Sequence, residues 1–229
     1  MKKLGLIGGI SWVSTIDYYR LINKGINEKL GDLNFAECII YSFNYQDIKN
    51  NNDNGAWDKT LQMLSDAAMG MKGAGAEAIV LCANTMHKVA DELEQKVQLP
   101  VIHIATVTAD TIVTQGLTKV GLLGTKFTME QPFFRDKLTD RGIDIVIPED
   151  KDRDFIHYTI FEELGRNILK PETKDFYIHM INKLVVRGAQ GIILGCTEIP
   201  LLISSADVDI PLFDTTVIHS KAAVEFALS

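Results

Sequence analysis

Three short stretches of this chain occur twice and in the same order, which constrains its fold more than any other feature. Lys3-Leu4-Gly5-Leu6-Ile7-Gly8-Gly9 matches Lys119-Val120-Gly121-Leu122-Leu123-Gly124-Thr125. Gly75-Ala76-Glu77-Ala78-Ile79-Val80-Leu81 matches Gly188-Ala189-Gln190-Gly191-Ile192-Ile193-Leu194, and Leu99-Pro100-Val101-Ile102-His103 matches Ile210-Pro211-Leu212-Phe213-Asp214. The separations are 116, 113 and 111 positions. One such match is ordinary among strand-rich sequences. Three in order, at nearly one spacing, indicate a duplicated unit.

The repeated stretches are short, rich in Ile, Val and Leu, and barely alternating, as expected of strands buried on both faces. Strands are predicted at 3–9, 38–42, 78–82, 101–104, 120–124, 143–147, 191–194 and 212–213. Amphipathic helical stretches are predicted at 16–30, 57–73, 85–96, 133–141, 174–187 and 216–228. Asn50 to Asn54, a polar cluster, reads as a loop. Strand–helix alternation implies an α/β architecture with parallel sheets. With the duplication, it becomes two pseudo-symmetric parallel-sheet lobes. Ligands of open parallel sheets bind beyond the C-terminal strand ends, so the site is expected in the interlobe cleft, with equivalent residues approaching two faces of one carbon.

Composition excludes several classes. A net charge of −7 repels phosphate backbones, so no nucleic-acid partner is expected. No stretch approaches the ~18 apolar residues of a membrane helix. The run Leu4 to Ile10 after Lys2 and Lys3 is too short and Gly-rich for a signal peptide, and three irregularly spaced cysteines make no disulfide framework. The expected location is cytoplasmic. The histidines show no ligand spacing with cysteine, so no metal site is expected.

Each repeat ends its Gly-Ala strand with a cysteine and small polar residues: Cys82-Ala83-Asn84-Thr85-Met86-His87 and Gly195-Cys196-Thr197-Glu198-Ile199-Pro200. A helix starting there, capped by Asn84 or Thr85 and by Thr197, would lower the pKa of a thiol at its N-terminus and offer N–H groups to a carboxylate. The alternative is that both thiols are buried small hydrophobes. Thr125 and Thr128 follow a strand without the Lys of a phosphate loop, so a carboxylate cradle is the expectation there. His103 and Asp214 hold equivalent places after Pro-containing strands. His87, one turn into a helix, reads as a structural hydrogen-bonder, and Cys38 as core.

These segments resemble the aspartate/glutamate racemase family, close to its broad-specificity bacterial branch. Gly195 to Leu202 looks like that family's second-lobe signature, Cys82 to His87 its first-lobe counterpart, and Leu6 to Trp12 its opening strand and loop. Further likeness runs through Leu123 to Glu130, Phe161 to Leu164 and Phe213 to Thr215. The resemblance implies racemisation of a small amino-acid substrate by thiol-based proton transfer at Cα, with no pyridoxal phosphate or other cofactor. It implies Cys196, and Cys82 or the neighbouring place of Ala83, as catalytic positions. Ile10, Asn84, Thr85, Thr125, Thr128, Thr197 and Glu198 would line the substrate. It implies lobes at 1–98 with 210–229 and at 99–209, and it leaves room for a homodimer.

One departure matters. Two-cysteine members carry Cys directly before Asn-Thr, where this chain has Ala83. The gap-free repeat agrees: Ala83 aligns with Cys196, and Cys82 with Gly195. Successive strand residues point opposite ways, which would turn Cys82 toward the lobe interior. Aspartate-specific members also carry Lys soon after Glu-Glu, where Gly165 and Arg166 stand. Lys49, Lys126 and Arg166 are the candidate counter-charges for an acidic side chain. A one-cysteine isomerase or decarboxylase on the same scaffold, or a catalytically silent amino-acid-binding protein, are the rival readings.

Overall fold

The computed structural model describes residues 1–229, which divide into two compact units: Met1–His103 with His219–Ser229, and Ile104–Ile218. The first contains β1 (Leu4–Gly8), α1 (Trp12–Leu30), β2 (Cys38–Ser42), α2 (Tyr45–Asp53), α3 (Trp57–Gly73), β3 (Ala78–Leu81), a 3-10 turn (Thr85–Val89) and α4 (Ala90–Val97). The second contains α5 (Ile104–Thr114), β4 (Lys119–Gly124), α6 (Lys126–Glu130), α7 (Pro132–Thr139), β5 (Asp144–Val146) and α8 (Asp150–Glu162). After a 3-10 turn (Leu164–Arg166) come α9 (Pro171–Val186), β6 (Ile192–Gly195), another 3-10 turn (Ile199–Leu201) and β7 (Leu212–Asp214), and α10 (Thr215–Leu228) starts in the second unit and belongs to the first from His219 on. No helix is long and apolar enough to cross a membrane.

Both sheets are wholly parallel, ordered β2-β1-β3 and β5-β4-β6-β7. Their hydrogen bonds repeat residue for residue. Leu6 pairs with Val80 as Leu122 pairs with Ile193, and Ile79 bridges Val101 as Ile192 pairs with Leu212. The Glu77 N–H donates to the Lys3 carbonyl at 2.8 Å, and the Gln190 N–H to the Lys119 carbonyl at 2.9 Å. Even the side chains correspond: Lys3 N–H donates to Glu77 Oε1 and Lys119 N–H to Gln190 Oε1, each at 3.1 Å. The pairing also matches Cys38 in β2 to Ile145 in β5, a correspondence too weak to read in the sequence.

Buried strands explain the apolar runs. In the first unit one cluster gathers Leu4, Leu6, Tyr18, Ile22 and Ile26 on the α1 face, while another gathers Ile7, Ile79 and Leu81 with α3 and α4. In the second unit a single core surrounds β4 and β6.

Several expectations need correction. Asn50 to Asn54 lies largely in α2 rather than a loop. Val101 makes only a bridge, and α5 starts at Ile104. The stretch 85–96 is a 3-10 turn followed by a short α-helix. The units divide after His103 and after Ile218, later than expected, because Val101 bonds to β3 of the first unit and β7 to β6 of the second.

Between β1 and α1 the chain turns through Gly9, whose φ of +81° is left-handed. An added Cβ there would lie 2.3 Å from the Phe43 carbonyl oxygen, while the Gly9 N–H donates to Thr15 Oγ1 at 2.9 Å. Gly9→Ala is therefore expected to destabilise the protein by ~2 kcal/mol or more. Gly70→Ala, in α3 with open space around it, should stabilise it by ~0.5–1 kcal/mol. Urea unfolding checks both signs, and a neutral Gly9→Ala would contradict the strain.

Candidate active site

In the second unit, β6 carries Cys196 beyond its C-terminal end. The ends of β4 and β6 approach so closely that a Cβ on Gly195 would lie 3.0 Å from the Leu123 carbonyl oxygen. Glycine there lets the strand end between β4 and β7 and expels the next residue, Cys196. The Thr215 hydroxyl ties this end down by donating to the Leu194 carbonyl at 2.9 Å.

Cys196 is 9% exposed, and its thiol donates to Glu198 Oε2 at 2.8 Å. The Thr197 hydroxyl donates to the same oxygen at 2.8 Å. Burial first, and then the Glu198 carboxylate, push the thiol well above its ordinary pKa, against the opposing pull of the Thr197 and Glu198 N–H groups. This reverses the expectation of a low-pKa thiol. The physical reason is local: only the three-residue turn Ile199–Leu201 follows, too short to sum a dipole, and Thr197 caps no helix. The resting thiol is protonated and already hydrogen-bonded to a base.

The other candidates of this unit fall close to the same strand ends. Thr125 caps α6, its hydroxyl oxygen accepting the Thr128 N–H at 3.3 Å, and the two hydroxyls are also 3.3 Å apart. The first α6 N–H, of Lys126, is directed at His157 Nδ1 at 3.3 Å. These groups thus hydrogen-bond one another and His157 at the start of α6. Asp214 Oδ1 accepts the N–H groups of Thr216 and Val217 at 2.9 and 3.2 Å.

In the first unit, Cys82 and Ala83 face opposite sides. Cys82 is fully buried with Leu4, Leu6 and Tyr18, its thiol directed at the Val80 carbonyl at 3.8 Å, and burial pushes its pKa up. Ala83, half-buried, packs with the other cluster, as does Ile10. Asn84 is buried and makes no side-chain cap bond; Thr85 is half-buried.

Beside Ala83 lies a group the sequence did not reveal. The His87 ring meets those of His103 and His219 at centroid distances of 4.9 and 5.2 Å. His219 Nδ1 accepts the Tyr18 O–H at 2.8 Å, and its Nε2–H donates to the Ile102 carbonyl at 2.6 Å. These tautomers follow from the partners, since a carbonyl can only accept. The residues lie far apart in sequence, and the only local signal was the four-residue spacing of His87 from Ala83.

The model of the family described as Asp/Glu/hydantoin racemase matches residues 7–223. The chain belongs to the Asp/Glu/hydantoin racemase family. Membership makes it an amino-acid racemase, an isomerase. A Yersinia pestis structure classed with Asp/Glu racemases is 50% identical with a TM-score of 0.96, each chain covered completely. The structure of an aspartate racemase homologue from Pyrococcus horikoshii OT3 is 37% identical at a TM-score of 0.89, again over all of both chains. The broad-specificity amino-acid racemase RacX of Bacillus subtilis is 23% identical over 99% of this racemase and 98% of its own length.

Burial holds the imidazoles neutral, lowering His87 to about 4 and His219 to about 3. The unfolded chain takes up these protons near pH ~6.5, whereas the folded chain refuses them until far lower. Stability contributed by the neutral rings is thus complete above that pH and is lost as pH falls toward 4. The size is ~3 kcal/mol for one ring, and the neighbours titrate as a pair. Urea midpoints should drop between pH 6.5 and 4.5, and less steeply in His87→Asn. A midpoint unchanged over that window would contradict the neutral cluster.

Proposed function

We propose that this racemase works without pyridoxal phosphate or metal and uses Cys196 as the acid/base at Cα. The 2.8 Å contact between the Cys196 thiol and Glu198 carries the reading. Glu198 takes the thiol proton, and the thiolate removes the Cα proton, its electron pair passing into the substrate carboxylate. In the reverse direction the protonated thiol returns a proton to Cα on its own face; for inversion the opposite face takes its proton from a water molecule, since Ala83 carries no titratable group and the Cys82 thiol is directed into the core. Glu198 thereby changes role, from a residue lining the substrate to the partner of the thiol. The reaction is proposed to need residues of both units, Asn84 and Thr85 contributing to substrate binding.

A range of substrates is favoured over strict acidic specificity. Each candidate counter-charge is engaged nearby: Lys49 with Asp53, Lys126 with Asp154, and Arg166 with Glu162 at 2.7 Å. Without a cation held for it, a side-chain carboxylate gains little discrimination. The likeness to RacX agrees with this choice.

A second reading, one-thiol isomerase or decarboxylase chemistry, is favoured by Ala83. It stands where the repeat places Cys196's counterpart and carries no titratable group, while the Cys82 thiol is directed into the core.

The test is entry of solvent deuterium at Cα, measured on neutral and acidic amino acids with protein treated with chelator. Exchange with inversion across both classes is expected. Exchange with retention would support the one-thiol reading, and dependence on added metal or pyridoxal phosphate would contradict the proposal. Cys196→Ser should lower the rate by about two decades or more. Cys82→Ser should be mild, and Ala83→Cys should preserve or raise inversion, each with circular dichroism showing an intact fold. Equal damage from Cys82→Ser and Cys196→Ser would make Cys82 the second base.

A further inference from the structure

His87 is 1% exposed, and the geometrically closest partners of its ring are carbonyls of its own turn. Its Nδ1 lies 3.0 Å from the Ala83 carbonyl and 3.3 Å from that of Asn84. Two carbonyls on one nitrogen require Nδ1 to carry the hydrogen. Nε2 is then a bare acceptor, and it is buried without a hydrogen-bond partner. Leaving a polar atom in that state is unfavourable, so the ring's placement is imposed by the bonds on its other side and by the His103 and His219 rings against it.

The duplication shows what the ring does. At the separation of 113 positions that relates β3 to β6, Ala83 corresponds to Cys196 and His87 to Pro200. In the second unit the turn after the strand is held by the Ile199 N–H on the Cys196 carbonyl at 3.3 Å, and by Pro200, whose ring fixes its own φ. The first unit has no proline there. Its turn closes through the His87 N–H on the Asn84 carbonyl at 3.1 Å, and the His87 imidazole supplies the remaining restraint by gripping the Ala83 carbonyl. Two chemically different devices therefore hold equivalent turns.

We infer that His87 is a positioning residue for the racemase reaction: its Nδ1–H fastens the Ala83–Asn84 segment in the place that its Cys196–Thr197 counterpart occupies in the second unit. It acts through the backbone of that segment and not on the substrate. The inference rests on the proposed function in so far as this segment serves catalysis. The ring works as a neutral donor; burial keeps its neighbour His219 neutral as well, and the Tyr18 and Ile102 hydrogen bonds fix the tautomer of that neighbour.

Two amide variants separate this role from a general packing role. In His87→Asn the side-chain nitrogen sits as many bonds from the backbone as Nδ1 and can donate to the Ala83 carbonyl. In His87→Gln it sits one bond farther out, near the place of Nε2. With folding confirmed by near-ultraviolet circular dichroism, the Asn variant should keep kcat/KM within about threefold of wild type. The Gln variant should lose about tenfold or more, chiefly in kcat, as a small misplacement in a site does. Variants that fall together, or that both keep wild-type activity, would overturn the inference. Amide hydrogen exchange at Thr85, Met86 and His87 gives a readout independent of turnover. It should run about tenfold faster in the Gln variant than in the Asn variant, and equal rates would also overturn it. If wild-type protein exchanges no Cα proton on any amino acid, the functional reading alone fails, and the amide rates still decide the role of His87.

Discussion

Parallel pairing between the first strand of each unit and the strand that ends its Gly-Ala segment fixes everything that follows at the site. In the second unit the register runs from Gly121 opposite Ile192 to Gly124 opposite Gly195, and it releases the chain at Cys196. Side chains on a strand alternate with period two, so a slip of one residue exchanges the core face for the other. The first unit displays that consequence. Its cysteine comes one place earlier, at the position of Gly195, and its side chain lies among Leu4, Leu6 and Tyr18. Where Gly195 leaves no space for a side chain against the Leu123 carbonyl, Cys82 fills a core pocket. Chemically identical thiols thus have different fates because hydrogen bonds between backbones set which face each one meets.

Electrostatics at the two strand ends differ in the same way. Around Cys196 a carboxylate and burial together favour the neutral thiol, so readiness for chemistry lies in having a base already bonded to the proton, and not in a thiolate stored in advance. Beside Ala83 the Cys82 thiol is directed into the core, and burial keeps the His87 and His219 imidazoles uncharged. The expected cost of that arrangement is acid sensitivity of the fold. Its benefit is a rigid, neutral support beneath the segment that follows β3.

Much of this was legible in the residues because it is carried by pattern. The apolar runs at Leu4–Gly8 and Ile192–Gly195, their separation, and the offset of Cys82 from Ala83 follow from burial and alternation, which sequence records directly. The α-helix over Asn50 to Asp53 was not legible, since four polar residues in a row look like a loop, and their anchors are tertiary: Ile48 and Tyr45 against the core, and the Thr60 hydroxyl on Asn52 Oδ1. Nor was the direction of the Cys196 pKa. It turns on whether an α-helix or a three-residue turn follows, and on a carboxylate two residues away folding back onto the sulfur. The histidine cluster was hidden for a different reason: His87, His103, His219 and Tyr18 meet only after four separate elements have packed, and no spacing announces them.

The thiol–carboxylate pair is the centre of this account, and a direct titration tests it. With 13C-labelled cysteine and the other two thiols replaced by serine, the Cβ shift of Cys196 reports its ionisation. Its midpoint should lie well above the ~8.5 of an unperturbed thiol and should fall in Glu198→Gln, where the negative charge is gone but the shape is kept. A wild-type midpoint at or below the ordinary value, or one unmoved by Glu198→Gln, would contradict the pairing of Cys196 with Glu198.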